Sequence, residues 1–101
     1  MIRVSVLYPN SEEATFDKAY YLDSHMALVR EKLGPTLLKD EIWSGVSTPG
    51  LPPAAYLIVL HMYFESMESF GAGFLEHGVT LMEDIPNFTN VAPVMEVEEP
   101  A

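Results

Sequence analysis

Residues 55–64 read AYLIVLHMYF and form the clearest β-strand pattern in the chain. Prolines precede this stretch and Glu65-Ser66 follows it, so turn residues bound it at both ends. Side chains alternate between the two faces of a strand, and every even position from Tyr56 to Phe64 is apolar. The odd positions mix aliphatic residues with His61 and Tyr63. One face of the strand therefore belongs against a core, and the other is amphipathic but too apolar for bulk water.

The residues before this strand predict a strand, a helix and an edge strand. Ile2–Tyr8 alternates apolar and polar positions with a single exception, which is typical of a strand. Thr15–Leu33 predicts a helix that Thr15 or Asp17 caps and that Gly34-Pro35 ends. The more polar residues 36–46 predict a strand at a sheet edge, and a loop rich in proline follows it.

The residues after it predict a second helix and a last strand. Ser66 can cap the helix, in which apolar residues recur every three or four positions. Three glycines weaken this pattern, and we expect a kink or break near Gly78. Residues 87–97 predict a final strand that Pro93 interrupts, as suits an edge position or a bulge.

The resulting order, β-α-β-β-α-β, predicts one α+β domain over residues 1–101. This order is typical of the ferredoxin-like sandwich, an antiparallel sheet with both helices on one face. Such a sheet leaves its other face uncovered, and a second copy of the chain is the simplest cover at this size. We therefore expect a homodimer whose two sheets close into a dimeric α/β barrel.

Charge and composition exclude several classes of protein. Among 101 residues, fifteen are acidic and five basic, giving a formal charge of −10. Nucleic acids and anionic membranes require a basic surface, so neither is an expected partner. The chain has no cysteine, which excludes disulfide scaffolds and thiolate chemistry. It shows neither a signal peptide nor an apolar run near the ~20 residues of a membrane helix, and we expect a cytoplasmic protein.

Three segments resemble the EthD-like family of dimeric α/β-barrel proteins. They are VSVLYPN near the start, FDKAYYLDSHMALVREKLGP over residues 16–35, and DIPNFTNVAPV over residues 84–94. Two features weigh most: the pair Tyr20-Tyr21 with His25 close behind, and Asp84-Ile85-Pro86-Asn87. One departure is that Met26-Ala27-Leu28 stands where members often have a proline. The resemblance implies the fold and an association with the degradation of ethers and other apolar compounds, often grouped with oxidoreductases, but no defined reaction.

His25 is the main candidate for chemistry. On a helical wheel it lies near the middle of the apolar arc and far from either helix end, so it needs a buried hydrogen-bond partner. An imidazole exchanges protons near neutral pH and is therefore a general acid or base. A core histidine with a purely structural bond is the alternative, and the resemblance favours the functional interpretation.

Asp84 is the second candidate. Its carboxylate can lie beside His25, where it would fix the imidazole tautomer and stabilise the imidazolium. The alternative is an aspartate that bonds its own backbone at the turn before Ile85-Pro86.

Four aromatic residues are expected to contact a substrate. Tyr21 lies in the apolar arc one turn before His25 and can present its hydroxyl to a ligand. The pocket wall is predicted to include Trp43, Phe70 and Phe74. The alternative for Tyr21 is an amphipathic residue at the edge of the helix, and the alternative for the other three is core or dimer packing.

The remaining histidines and the missing motifs narrow the chemistry further. His61 is expected to lie at a barrel or dimer contact, and His77 to cap the end of the second helix. No histidine spacing indicates a metal site, and no glycine-rich loop indicates a phosphate site, so we expect neither metal nor cofactor.

Three functions fit these observations. The first is a small cofactor-free enzyme that acts on an apolar or aromatic molecule, with His25 as the proton carrier and Asp84 as its orienting partner. Enolisation, dehydration, isomerisation and cofactor-free oxygenation all fit it equally. The second is a non-catalytic binder or accessory protein of an ether or aromatic degradation pathway. The third is a structural dimer whose pocket is filled by side chains.

Overall fold

A computed structural model describes residues 1–101 and contains a four-stranded antiparallel sheet with two helices packed on one face. The strands are β1 (Ile2–Pro9), β2 (Lys39–Ser44), β3 (Tyr56–Phe64) and β4 (Val94–Glu98). Their spatial order is β2-β3-β1-β4, which places β2 and β4 at the edges. The predicted α+β, ferredoxin-like architecture is confirmed, including the edge position of β2.

The first helix, α1, covers residues 18–33 and changes geometry along its length. It begins with α-helical Lys18–Tyr20, passes through one π-helical turn at Tyr21–His25, and continues as α-helix over Met26–Leu33. Asp17 caps it by accepting a hydrogen bond from the Tyr20 N–H. In the π turn, the Met26 N–H donates to the Tyr21 carbonyl, five residues back. Gly34, with a positive φ of 55°, ends the helix as the sequence predicts.

The second helix, α2 (Met67–Glu83), begins at the predicted cap, Ser66. The break expected near Gly78 is wrong, because α2 runs without interruption past that residue. The reason is packing: a Cβ at Gly78 would lie 3.2 Å from the Phe74 ring. Glycine at this position makes room for an aromatic ring one turn earlier and does not mark a hinge.

The core lies between the helices and one face of the sheet. The even positions of β1 and β3 are buried there, from Ile2 to Tyr8 and from Ile58 to Phe64. Helix α1 contributes Tyr21, Met26, Val29 and Leu33 to the same core. The period-two pattern thus predicted correctly which strand face is covered.

Two further expectations need correction. The last strand is shorter than predicted, since β4 begins after Pro93 and a 3-10 turn at Ile85–Asn87 precedes it. His77 does not cap α2, because the helix continues to Glu83 and His77 lies within it beside Glu76. No helix of the structure has both the length and the apolar composition needed to cross a bilayer.

Candidate functional site

An apolar cavity of about 120 Å³ lies between the sheet and the two helices. Twelve of its fourteen lining residues are hydrophobic, the exceptions being His25 and Pro93, so no charged side chain lines it. Residues of β1, β3 and both helices form its walls, and Met82, Pro93 and Met95 contribute where α2 meets β4. A cavity of this composition suits a small uncharged molecule.

The π turn of α1 carries His25 into this cavity. The side chain is 5% exposed, and its ring lies 4.7 Å from the Phe88 ring and 5.6 Å from the Tyr21 ring, centroid to centroid. These two aromatic neighbours fix the plane of the imidazole. A π turn is a rare element that occurs often at functional sites, and here it ends at the one histidine lining the cavity.

Asp84 is the hydrogen-bond partner of the His25 ring. The Nδ1 atom of His25 lies 2.8 Å from the Asp84 Oδ2 atom. The other carboxylate oxygen accepts hydrogen bonds from the Tyr20 hydroxyl at 2.7 Å and the Asn87 side-chain amide at 2.9 Å. The structure thus brings His25 and Asp84 together, and the Asp84 carboxylate bonds other side chains where the alternative expected a bond to its own backbone.

These contacts determine the protonation of the pair. Partial burial opposes ionisation of Asp84, but hydrogen bonds from Asn87, His25 and Tyr20 outweigh it and hold the pKa of the carboxyl below its ordinary value. An ionised carboxylate only accepts hydrogen bonds, so Nδ1 of His25 must carry a proton. In the neutral imidazole, Nε2 then has a free lone pair. Because the ring lines the cavity, Nε2 is the nitrogen available to a bound molecule.

Tyr20 is a site residue that the sequence did not reveal. In α geometry, Tyr20 and His25 are separated by about 140° around the helix axis, which would place them on different faces. A π turn advances by a smaller angle per residue, so both side chains reach Asp84. Asn87 was also missed, although its position three residues after Asp84 in a proline-containing turn is a usable signal.

The four predicted substrate contacts divide into three groups. Phe70 and Phe74 line the cavity beside His25. Tyr21 stacks on His25 but does not line the cavity, and its hydroxyl is enclosed without a hydrogen-bond partner. Trp43 is 61% exposed and pairs with Val59 on the opposite face of the sheet, away from the cavity.

The other histidines lie outside this site. On the open sheet face, Ser5 donates a hydrogen bond to Glu98, and His61 Nδ1 lies 2.7 Å from the same Ser5 oxygen. His77 lies on α2 and does not line the cavity. No three side chains of histidine, aspartate or glutamate are grouped where they could hold one metal ion.

Comparison with solved structures places this architecture in a known group. A protein described as EthD-like from Ralstonia eutropha JMP134 shares 35% sequence identity, with a TM-score of 0.90, over 97% of this chain and 89% of its own. An ethyl tert-butyl ether D (EthD) family protein from Bacillus halodurans C-125 shares 19% identity, with a TM-score of 0.76, over 100% of this chain and 99% of its own.

A dimeric protein of unknown function and ferredoxin-like fold from Bacteroides fragilis NCTC 9343 shares the fold more distantly. Its identity is 12% and its TM-score 0.59, with 98% of this chain and 95% of that one covered. No family model matches the chain, and a search of curated proteins gave no match. The identity to the Ralstonia protein over almost the full length shows that the chain belongs to the EthD-like family.

Proposed function

We propose that this protein is a small enzyme that transfers a proton on an apolar or aromatic molecule and uses His25 as the acid–base group. The substrate binds in the cavity between the sheet and the helices, and Phe70 and Phe74 pack against it. Proton transfer of this kind needs no cofactor and contributes typically 10²- to 10⁴-fold to a rate. The Bacillus relative belongs to a family named after an apolar ether, which agrees with the apolar walls of this cavity.

One observation carries the proposal: the Asp84 carboxylate lies 2.8 Å from His25 Nδ1, while the same ring lines an apolar cavity. A histidine with a purely structural role needs one hydrogen bond and no access to a cavity. Here the carboxylate fixes the tautomer, stabilises positive charge on the ring after proton uptake, and leaves Nε2 free. The cavity also argues against a purely structural dimer whose pocket is filled by side chains.

Deuterium exchange tests the proposal without knowledge of the natural substrate. Small neutral ketones, with cyclohex-2-enone as the first probe, are incubated with the protein in D₂O, and loss of the protons next to the carbonyl is followed by NMR. We expect the wild-type protein to accelerate this loss, His25→Ala to abolish the acceleration, and His25→Gln to do the same, because glutamine does not exchange a proton near pH 7.

The alternative function is a non-catalytic binder or accessory protein of a degradation pathway. It requires the cavity but not the His25–Asp84 pair. Saturable binding of the ketones without accelerated exchange by the wild-type protein would favour this alternative. Equal exchange rates for the wild-type protein and His25→Ala would remove His25 as the proton carrier.

We further propose that the protein acts as a homodimer joined through the open sheet face. The related protein from Bacteroides fragilis is dimeric. The face opposite the helices exposes an apolar row formed by Val94, Leu7, Val59 and Trp43, which are paired neighbours across all four strands. Closure of two such sheets would give the α/β barrel expected from the sequence.

A further inference from the structure

The cavity contains a second polar group besides His25. Tyr8 lies near the end of β1, is 1% exposed and lines the same cavity as His25. Its ring makes edge-to-face contacts with Phe16, Tyr21 and Phe88, at centroid distances of 5.3–5.8 Å. Phe88 also contacts His25, so the Tyr8 and His25 side chains share this ring as a neighbour.

The Tyr8 hydroxyl has no partner within the chain. The hydroxyls of Tyr20 and Tyr63 each donate to a carboxylate, whereas no hydrogen bond involves that of Tyr8. Burial alone raises its pKa, which agrees with the absence of a polar neighbour and keeps the hydroxyl protonated at neutral pH. Unlike the Tyr21 hydroxyl, that of Tyr8 is not fully enclosed, so it can donate its hydrogen bond to a molecule bound in the cavity.

Tyr21 provides the contrast. Its hydroxyl is also unpaired, but it is fully enclosed, and Tyr21 does not line the cavity. Tyr8 alone combines an unpartnered hydroxyl that is not fully enclosed with a side chain that lines the cavity beside His25. We propose that the Tyr8 hydroxyl donates a hydrogen bond to a carbonyl oxygen of the bound molecule, so that the site selects small neutral ketones and enones. This inference rests on the proposed function and names its substrate class.

In the proposed reaction, His25 moves the proton and Tyr8 stabilises the carbonyl oxygen. The Nε2 atom of His25 takes a proton from the carbon next to the carbonyl, and the electron pair of that C–H bond forms the C=C bond of an enolate. The carbonyl π pair moves onto oxygen, which the Tyr8 hydroxyl stabilises while keeping its own proton. The proton on Nε2 then returns to the same or a conjugated carbon. The result is exchange or isomerisation, and no oxidant or reductant is consumed.

The absence of cations supports a neutral substrate. No lysine or arginine lines the cavity. The Asp84 carboxylate is bonded to His25, and the chain carries a formal charge of −10. A carboxylate or phosphate group in the cavity would find no counter-charge and would meet a negative potential. A carbonyl oxygen needs only a neutral donor, which is what Tyr8 offers.

Binding of cyclohexanone and of its hydrocarbon isostere methylenecyclohexane tests this role. Both are titrated into protein with ¹³C-labelled methionine methyl groups. Met62, Met82 and Met95 line the cavity, while Met1 and Met67 lie outside it and serve as internal controls. We expect shifts at the three cavity methionines and tighter binding of the ketone. Tyr8→Phe should weaken ketone binding about fivefold to tenfold, the equivalent of one neutral hydrogen bond, and leave hydrocarbon binding unchanged.

Tyr21→Phe is the matched control, because it removes an unpaired buried hydroxyl from the neighbouring ring outside the cavity. It should leave both dissociation constants unchanged. Equal ketone affinity of the wild-type protein and Tyr8→Phe would overturn the role of Tyr8, and so would a ketone that shifts no cavity methionine. Failure of the proposed function looks different: ketone binding keeps its dependence on Tyr8, while the wild-type protein gives no deuterium exchange.

Discussion

The Asp84 carboxylate accepts hydrogen bonds from His25 and Tyr20 on α1 and from Asn87 in the 3-10 turn that follows α2. Asp84 therefore links the stability of the fold to the protonation of His25. Its own charge decides which nitrogen of His25 carries the proton, and its neighbours decide its charge. A change at any of the four positions should therefore alter both the stability of the fold and the proposed proton transfer.

The pH dependence of stability follows from the lowered pKa of Asp84. Because the folded pKa lies below the unfolded value, the ionised carboxylate contributes stability above about pH 4, and this contribution is lost as the pH falls through the folded pKa. We expect urea unfolding between pH 7 and pH 3 to show a steeper acid loss for the wild-type protein than for Asp84→Asn. Glu98, whose pKa is lowered by Arg3 and Ser5, remains in both proteins and should keep a residual slope.

Tyr20→Phe should slow the proposed proton transfer while preserving the cavity. The change removes one donor to Asp84 but keeps the ring, so we expect only a small loss in unfolding free energy. Deuterium exchange should fall about tenfold, because the carboxylate orients His25 less firmly, while ketone binding stays near its wild-type value.

Tyr56→Phe is the control for this prediction, since Tyr56 lies at the start of β3 and does not line the cavity. It should change neither property. An exchange rate for Tyr20→Phe equal to that of the wild-type protein would show that Tyr20 does not position the pair.

Individual residues of the site were predictable to different degrees. His25 stood out because a polar ring in the middle of an apolar arc needs a partner, and Asp84 because it precedes a proline-containing turn. Tyr20 did not, because a helical wheel assumes constant α geometry and the π turn changes the angle between Tyr20 and His25. Trp43 was assigned to the pocket by residue type alone, although the strand register places it on the other face of the sheet.

At the level of elements, the sequence predicted the order and type of the strands and helices, and errors arose where packing overrides local propensity. Gly78 is the clearest case. A glycine within a helix costs about 1 kcal/mol relative to alanine, which argues for a break, yet the Phe74 ring occupies the space that a side chain would take. The propensity is a local property of residue 78, whereas the compensating contact depends on the conformation of Phe74.

Glycine-to-alanine substitutions in α2 test this explanation. An added Cβ at Gly71 meets nothing within 4 Å, so Gly71→Ala should stabilise the protein by about 0.5–1 kcal/mol. At Gly78 the added Cβ meets three Phe74 ring atoms at 3.2 Å, so Gly78→Ala should not exceed the wild-type stability and should shift Phe74 at the cavity wall. Thermal melts compare the two variants. Equal stabilisation at both positions would mean that Gly78 serves no packing purpose.

At the level of the whole molecule, side chains that are paired across neighbouring strands form rows on the open sheet face. On one side of the apolar row of Val94, Leu7, Val59 and Trp43 lie two polar rows, in which several groups already pair within the chain. Arg3 bonds Glu98 through two nitrogens, and Tyr63 donates to Glu41. Burying these satisfied polar groups against a partner costs less than burying unpaired ones. In the proposed dimer, the apolar row would supply the drive for association, and the paired groups would permit a contact wider than one row.

The predicted homodimer can be tested at the centre of that row. Val59 pairs with Leu7 on one side and Trp43 on the other, so Val59→Arg would place a charge in the middle of the proposed contact. Leu75 is 88% exposed on α2, on the helical side of the molecule, and Leu75→Arg makes a matched change in charge there. Light scattering at micromolar concentration should give twice the 11.3 kDa chain mass for the wild-type protein and Leu75→Arg, and a single chain for Val59→Arg.

A stable interface should bury more than about 1,200 Å² in total, which one row alone does not reach, so the neighbouring polar rows must take part. A wild-type protein of single-chain mass would remove the barrel, and a dimer that survives Val59→Arg would place the contact elsewhere.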